Sequence, residues 1–462
     1  MGDADLVLAS NRGPVSFRRS DDGSLVAVRG AGGLVSSVGP LIEGSGATWV
    51  AAAMSDEDRE AAAGGLLEAE GFRLRSIDLD PEVYRMAYDV VSNATLWFVH
   101  HGLYDLPRRP RFDRHWRQAW EGYRAYNQVF ADAVAEEAPE GGVALLQDYH
   151  LSLAPAMVAA ARPDLRVVHF GHTPFATPTM LRVLPDDVQV ELLTGLTAAT
   201  ACGFHARRWA DDFERCCAEL LGPGGARTRT FVSPIVPDVR DIREVATSPE
   251  CEAEHRWLDQ VVGDCRMVLR VDRIELSKNI LRGFLAFDDL LEHRPEWRGR
   301  VVFVALVYPS RESLPEYQAY RHEVETVARQ VNGRWGTDGW TPIVLDDSDN
   351  FPRSVAALAR YDVLLVNPIR DGLNLVAEEG PLANERDGVL VVSREAGVWD
   401  EVGDHGAIGL NPYDLVATSD ALHAGLSMPA DERAARAQSL RAAITQRSAR
   451  DWLDDQRRAA SA

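Results

Sequence analysis

The sequence predicts an α/β protein of two Rossmann-like, doubly wound parallel-sheet domains. Two observations carry this. Short apolar runs that end in polar loops alternate with longer amphipathic stretches along most of the 462 residues, the pattern of repeated βαβ units. The alternation weakens once, at TFVSPIVPDVRD (230–241), where Pro234 and Pro237 mark a linker, and then resumes. The chain therefore reads as domain 1–236, domain 237–445 and a C-terminal helix, 446–462, expected to pack back on the first domain.

In order, DLVLASNR (5–12) is a buried strand running into a polar loop. GAGGLVSSVGPLI (30–42) is a glycine-rich turn followed by a helix. ATLWFVHH (94–101), VALLQDYH (143–150) and RVVHFGHTPF (166–175) are the next buried strands, separated by amphipathic helices that include residues 116–138. In the second half RMVLRVDR (266–273), VVFVALVYP (301–309), TPIVLDD (341–347), DVLLVNP (362–368) and GVLVVSR (388–394) alternate with helices, and residues 430–460 close the chain as charged helix. Two such domains imply a ligand cleft.

Composition narrows the function. Apolar residues make up 46% and charged residues 26%, as in a globular protein. No apolar run is long enough to span a bilayer, and MGDADLVLAS lacks the basic and apolar regions of a signal peptide, so a cytoplasmic location is expected. The formal net charge of −21 opposes binding to nucleic acid or an anionic membrane. Anionic substrates would then require a local cluster of cations. The five cysteines, 202, 216, 217, 251 and 265, are odd in number and form no CxxC, which favours reduced thiols. There is no P-loop, HExxH, Ser-His-Asp order or DxD after a strand, so no metal and no cofactor is called for.

Of 49 basic residues only one, Lys278, is lysine. Arginine and lysine are not interchangeable, and a chain that otherwise uses Arg but keeps one Lys points to a chemical need for it. Ligands of parallel sheets bind at the carboxyl ends of strands, so the residues that follow each apolar run are the site candidates. After the first strand come Ser10, Asn11 and Arg12, then Gly32 and Gly33, which allow close approach of a backbone to a phosphate or sugar. After later strands come Asp148-Tyr149-His150 and His172-Thr173-Pro174-Phe175. In the second domain Arg273 and Lys278 share one strand-end loop and suit a diphosphate better than a surface ion pair with Glu275. Asp371 stands before a helix expected to begin near Asn374, whose free N–H groups can hold a phosphate. Glu379, near the first turns, can take two hydroxyls of a ribose.

These segments resemble the trehalose-6-phosphate synthase family. RDGLNLVAEE is similar to its DGxNLVxxE donor segment and VDRIELSKN to its DRxxxxKG loop; SNR, GGL, NATLW, DYHL, HTPF, PSR, NGRWGT and NPYD follow in family order across about residues 5–450. The resemblance implies a GT-B fold, a retaining hexosyltransferase, and the synthase alone without a phosphatase domain. It implies that Arg273 and Lys278 bind the donor diphosphate, with backbone groups of Asn374, Leu375 and Val376, and that Glu379 binds the donor ribose. Asp371 and His172 would hold the transferred glucose, and Gly32 and Gly33 would line the donor side of the first, acceptor-binding domain. Arg12, Tyr88 and Arg311 would hold the phosphate of glucose 6-phosphate, and Trp97 and Asp148 its sugar. The partners are thus a nucleotide-glucose and glucose 6-phosphate, with a homo-oligomer left open.

Departures from the family pattern are Asn279 for the usual Gly, Ala52 where a second Trp is common, and SPIVP for FPIGI. The Lys-Asn pair and PLANERDG (381–388) look actinobacterial, a branch with GDP-sugar users and a pseudo-glycosyltransferase. GDP-glucose is therefore put ahead of UDP-glucose, with residues 346–350 and Asn367 as base readers. The rival readings are cyclitol coupling, an inactive sugar-phosphate sensor and a GT-B epimerase. Retention of Arg273, Lys278 and Glu379 argues against the sensor.

Overall fold

The computed structural model of the chain describes residues 5–30, 33–237 and 239–461. It divides into two compact units, Met1–Ile235 with Ser448–Ala462, and Val236–Arg447. The sequence reading draws these lines at 236/237 and 445/446.

The first unit carries β1 (Leu6–Ala9), β2 (Val15–Arg19), β3 (Leu25–Arg29), β4 (Thr48–Ala52), β5 (Leu66–Ala69), β6 (Phe72–Ile77), β7 (Val143–Gln147), β8 (Arg166–Gly171), β9 (Ala201–Phe204) and β10 (Arg229–Val232). Eight of them form one sheet in the order β10-β9-β8-β7-β1-β4-β6-β5, while β2 and β3 pair as a separate antiparallel ribbon. All neighbours in the large sheet are parallel except β5 and β6. The central strands β1, β4 and β7 are buried at every residue, as covering both faces of a parallel sheet requires. The chain leaves β1 toward β4 and later returns to its other side at β7. The carboxyl ends of β1 and β7 therefore flank a switch point of the strand order.

Two sequence expectations fail here. ATLWFVHH is not a strand. Residues Met86–Leu96 form a π-helix that continues into the α-helix Trp97–His101, which ends at left-handed Gly102. A short apolar run cannot be assigned by periodicity, and this one begins in the π-helix, which packs on the long Arg114–Glu137 helix. The two approach so closely that a Cβ on Gly122 would lie 2.7 Å from Met86 Cβ. Likewise, TFV of the expected linker belongs to β10, which pairs with β9 in register Thr230 to Cys202. Its half-buried residues gave only a weak apolar signal.

The Ala449–Ser461 helix belongs to the first unit, with Trp452 and Leu453 fully buried. Ser233 Oγ donates to Asp455 Oδ2 at 2.8 Å, and Arg229 Nη2 to the Ala459 carbonyl at 2.9 Å.

The second unit carries β11 (Arg266–Arg273), β12 (Val301–Tyr308), β13 (Ile343–Asp346), β14 (Val363–Val366), β15 (Val389–Ser393) and β16 (Ile408–Leu410) in the order β13-β12-β11-β14-β15-β16. Every pair is parallel. Phe284 and Phe287 of the Ile280–His293 helix meet Phe303 of β12 edge-on at 5.4 and 5.3 Å, which anchors that helix on the sheet. Here the strand order reverses between β11 and β14. The loops after these strands hold Lys278 and Asp371.

Candidate active site

In the second unit the loops after β11 and β14 converge on one ion pair. Lys278 Nζ lies 2.7 Å from Asp371 Oδ2 and 3.9 Å from Asp272 Oδ1. Asn374 Nδ2 donates to the same Asp371 oxygen at 3.1 Å. Burial works against the Lys278 ammonium, but Asp371 and Asp272 outweigh it and raise its pKa, so the cation persists at neutral pH. Behind it sits Arg270, fully buried, which donates to Asp272 Oδ2 at 2.9 Å, to the Lys278 carbonyl at 2.8 Å and to Asn367 Oδ1. Arg270 and Asp272 were missed by sequence reasoning, because both stand inside β11, where alternation assigns residues to sheet faces rather than to chemistry.

Glu275 organises the second cation group. Its Oε1 lies 3.0 Å from Arg273 Nη1 and 3.5 Å from Arg311 Nη1, and accepts from Ser310 Oγ at 3.1 Å. Burial opposes its ionisation, but Arg273, Arg311 and Lys278 prevail and draw the carboxyl down to about 2. Arg311 also donates to Tyr317 OH at 2.7 Å. Arg270, Arg273, Lys278 and Arg311 against Asp272, Glu275 and Asp371 leave one net positive charge in this cluster, within a chain of net charge −21.

The expected helix runs Val376–Ala383, two residues later than Asn374. Asn374 adopts φ +93°, and its Oδ1 accepts the Ala377 N–H at 3.3 Å, so its side chain does the capping. Among the described residues no protein acceptor takes the Leu375 or Val376 amides, which leaves both for an anion. Glu379 falls in the first turn, where burial pushes its carboxyl up to about 7.

Asn279 is explained by its backbone. At φ +59° it occupies the left-handed region, where Gly is favoured and Asn tolerated. Its amide donates to the Asn367 and Pro412 carbonyls at 3.0 and 2.8 Å. Asn367, proposed from sequence as a base reader, is corrected: it is 1% exposed, and its side chain serves Arg270 and the Asn279 carbonyl. Of residues 346–350, Asp346 is taken by Arg353 and Ser348, and Asn350 caps the Phe351–Arg360 helix.

The Val376–Ala383 helix carries on its buried side a second feature that the sequence did not disclose. Glu378 is fully buried with neither carboxylate oxygen hydrogen-bonded, and Glu401 Oε1 is likewise unpaired. Burial, then repulsion from Glu401 and Glu379, raises the Glu378 pKa well above 4.5. A carboxyl raised on folding contributes stability that is complete below its unfolded value and is lost as pH climbs through the folded one. Glu378→Gln is therefore expected to leave Tm nearly unchanged near pH 4, below the unfolded value, and to add about 2 kcal/mol near pH 8.5, the usual size for relieving an unsatisfied buried group. Thermal melts at both pH values check this; equal Tm shifts at both would refute it.

In the first unit the loop after β1 is held rigidly. Trp49 Nε1 donates to Ser10 Oγ at 2.8 Å, Ser10 Oγ to the Arg12 carbonyl at 2.6 Å, and Tyr126 OH to Asn11 Oδ1 at 2.7 Å. Arg12 itself is exposed. Ala52 spends its N–H on the Asn11 carbonyl at 3.1 Å. Tyr88, on the π-helix, stacks between Tyr84 and His150 at 5.2 and 5.7 Å. Trp97 stacks on His101 at 3.9 Å. Asp148 has φ +70°, and its Oδ1 accepts the His172 N–H at 3.2 Å. Arg12, Asp148 and His172 thus follow the adjacent strands β1, β7 and β8. Gly33 opens the Gly33–Ile42 helix, and Gly32 lies outside the described residues. Sequence reasoning also missed Gln147 and His205, which meet the two ring nitrogens of His172, and Gln456, which meets Gln147.

Tandem sheets of this strand order, with polar loops gathered where the order reverses, are the architecture of the GT-B glycosyltransferases. The chain belongs to glycosyltransferase family 20, whose model matches residues 4–461. It is 32% identical to the trehalose-6-phosphate synthase of Mycobacterium avium over 98% of this chain and 95% of that protein. It is also 32% identical to a bifunctional trehalose-6-phosphate synthase/phosphatase of Thermoproteus tenax, over 97% of this chain but only 62% of that protein's length. A Burkholderia xenovorans alpha,alpha-trehalose-phosphate synthase (UDP-forming), solved with glucose-6-phosphate, superposes with TM-score 0.86 at 28% identity over 99% of this chain and 100% of that one. An Escherichia coli structure bound with UDP-2-fluoro glucose gives 0.84 at 27% identity over 98% of each chain.

Proposed function

We propose that the chain transfers glucose, with retention, from a nucleotide sugar to glucose 6-phosphate, forming trehalose 6-phosphate. The observation that carries this is the buried Lys278–Asp371 pair at the β11/β14 switch point, with Arg273 beside it and two open amides at Leu375 and Val376. As the bond between the anomeric carbon and the β-phosphate oxygen breaks, negative charge grows on the diphosphate, and these groups stabilise it without a metal. The acceptor hydroxyl oxygen bonds to the anomeric carbon on the same face, and its proton passes to the departing phosphate oxygen. Asp371 is a poor covalent nucleophile, since Lys278 and Asn374 both engage its Oδ2. It holds sugar hydroxyls instead, Glu379 takes the ribose, and Arg12, Tyr88, Trp97, Asp148 and Arg311 take the acceptor.

The preference for GDP-glucose leaned partly on Asn279. With that side chain turned to backbone carbonyls, it favours neither base. The M. avium relative supports the reaction, and Aspergillus niger and Schizosaccharomyces pombe relatives are UDP-forming. Incubating the protein with glucose 6-phosphate and UDP-, GDP- or ADP-glucose in parallel tests the proposal. Trehalose 6-phosphate is expected from at least one donor, and none from any would refute it.

A further inference from the structure

We propose that His205, Gln147 and Gln456 are positioning residues that fix the proton of His172 on Nε2, making it a hydrogen-bond donor and not a base. The inference rests on the reading above in one respect only, that His172 holds the transferred glucose.

Both ring nitrogens of His172 are met by side chains. Nε2 lies 3.0 Å from Gln147 Oε1, and Nδ1 lies 3.1 Å from His205 Nε2. Gln147 has its amide nitrogen on Gln456 Oε1 at 3.4 Å, so its oxygen is the atom turned to His172. An amide oxygen only accepts, which places the proton of neutral His172 on Nε2. Its Nδ1 is then bare and accepts Nε2–H of His205. That leaves His205 Nδ1 bare, and the Ile235 N–H points to it at 3.3 Å. The contacts at the two ends of the series, Gln147 Nε2–Gln456 Oε1 and Ile235 N–His205 Nδ1, thus agree on one direction. The series is drawn from β7, the segments after β8 and β9, the loop after β10 and the Ala449–Ser461 helix.

The surroundings hold this network in place. Gln147 and Gln456 are fully buried and His205 is 4% exposed. Phe170 packs on the His172 ring at 5.0 Å and Trp452 at 6.0 Å, which restrict its rotation. Burial, then the neighbouring His205 and His169, lowers the His172 pKa, and burial lowers that of His205 to about 3, so both rings stay neutral. A ring so fixed offers Nε2–H to a sugar hydroxyl, exchanging it for Gln147. The hydrogen bond made by one ring nitrogen of a histidine decides which nitrogen carries the proton. The terminal helix has a part in it, because Gln456 keeps the Gln147 amide from turning over. In the competing arrangement His205 gives Nδ1–H to the Ser233 carbonyl, which also faces it, and every bond in the series reverses.

Long-range proton–nitrogen correlation spectra of the full chain, labelled at histidine nitrogen, read the tautomers directly, with His172→Asn and His205→Gln assigning the signals. Nε2–H is expected on both rings near pH 7, and Nδ1–H on either overturns the proposal. Gln456→Glu keeps an acceptor and is expected to preserve the His172 tautomer. Gln456→Leu frees Gln147 to turn over and is expected to move it; an unmoved signal counts against the role of Gln456. In kinetics, His205→Gln keeps an N–H toward His172 and holds KM for the nucleotide sugar within about 3-fold. His205→Phe removes the donor and raises that KM about 10-fold or more, with KM for glucose 6-phosphate unchanged. An unchanged donor KM in His205→Phe, or equal rises in both KM values, overturns the positioning role. If the wild type makes no product, the proposed function fails, while the spectra and the Gln456 pair still decide this inference.

Discussion

Lys278→Met is expected to lower kcat for trehalose 6-phosphate formation by about 10³-fold, the cost of removing one preorganised charge-stabilising group from an active site. The magnitude follows from where the ammonium sits. It is 13% exposed, paired at 2.7 Å with Asp371, and still protonated because Asp371 and Asp272 overcome its burial. Under the proposed function a leaving diphosphate would meet a cation that needs no reorganisation. Lys278→Arg keeps the charge but must fit a planar fork over Arg270, which already occupies the Lys278 carbonyl, Asp272 and Asn367. It is expected to lose about 10²-fold, since a misplacement of about 1 Å costs that much. Steady-state kinetics on both variants check this, and wild-type turnover in Lys278→Arg would remove the case for a lysine.

Gly397→Ala is expected to have the next largest effect. Gly397 donates to the Asp371 carbonyl at 3.1 Å, Val398 to the Leu373 carbonyl at 3.0 Å, and Asp371 to the Glu395 carbonyl at 3.2 Å. The loop carrying Asp371 is therefore clamped to the loop after β15. A Cβ on Gly397 would lie 1.9 Å from the Gly372 carbonyl oxygen and 3.2 Å from Leu373 Cα. These are backbone atoms, which cannot rotate aside. Stability should fall by about 2–3 kcal/mol, at the upper end for overpacking. Donor kcat/KM should fall about 10²-fold as Asp371 shifts. Gly224→Ala, which meets nothing within 4 Å, is the control. Melts and kinetics together decide it: a Gly397→Ala enzyme with normal donor kcat/KM would mean the loop tolerates displacement.

Much of this was legible in the sequence, and the rest was hidden for identifiable reasons. The strands β1, β7 and β14 read correctly because a strand covered on both faces is an unbroken apolar run. ATLWFVHH is the same kind of run, yet it is helical. Only the packing of the π-helix in which it begins, on the Arg114–Glu137 helix, distinguishes it, and a π-helix has no sequence signature. Lys278 stood out as the single lysine, whereas Arg270 was one arginine among many until its burial was known. Glu275 gains its role from Arg311, 36 residues away, which no local pattern reveals. Asn367 was misread because a polar residue after a strand reads as exposed; Arg270 beneath it claims the side chain. Asn279 was noticed as a departure, but only its φ of +59° gives the reason.

The position of the Ala449–Ser461 helix sets an order on biosynthesis. The first unit needs this helix to cover Phe170 and complete the surroundings of His172, yet 212 residues of the second unit are made between Ile235 and Ser448. At about 5–20 residues per second on the ribosome, the rest of the first unit waits roughly 10–40 s after Ile235 for its last layer. The second unit is contiguous and closes first. The unit that is begun first is thus the last to reach its final form, and a nascent chain holds its Lys278–Asp371 loops before its His172 network is in place.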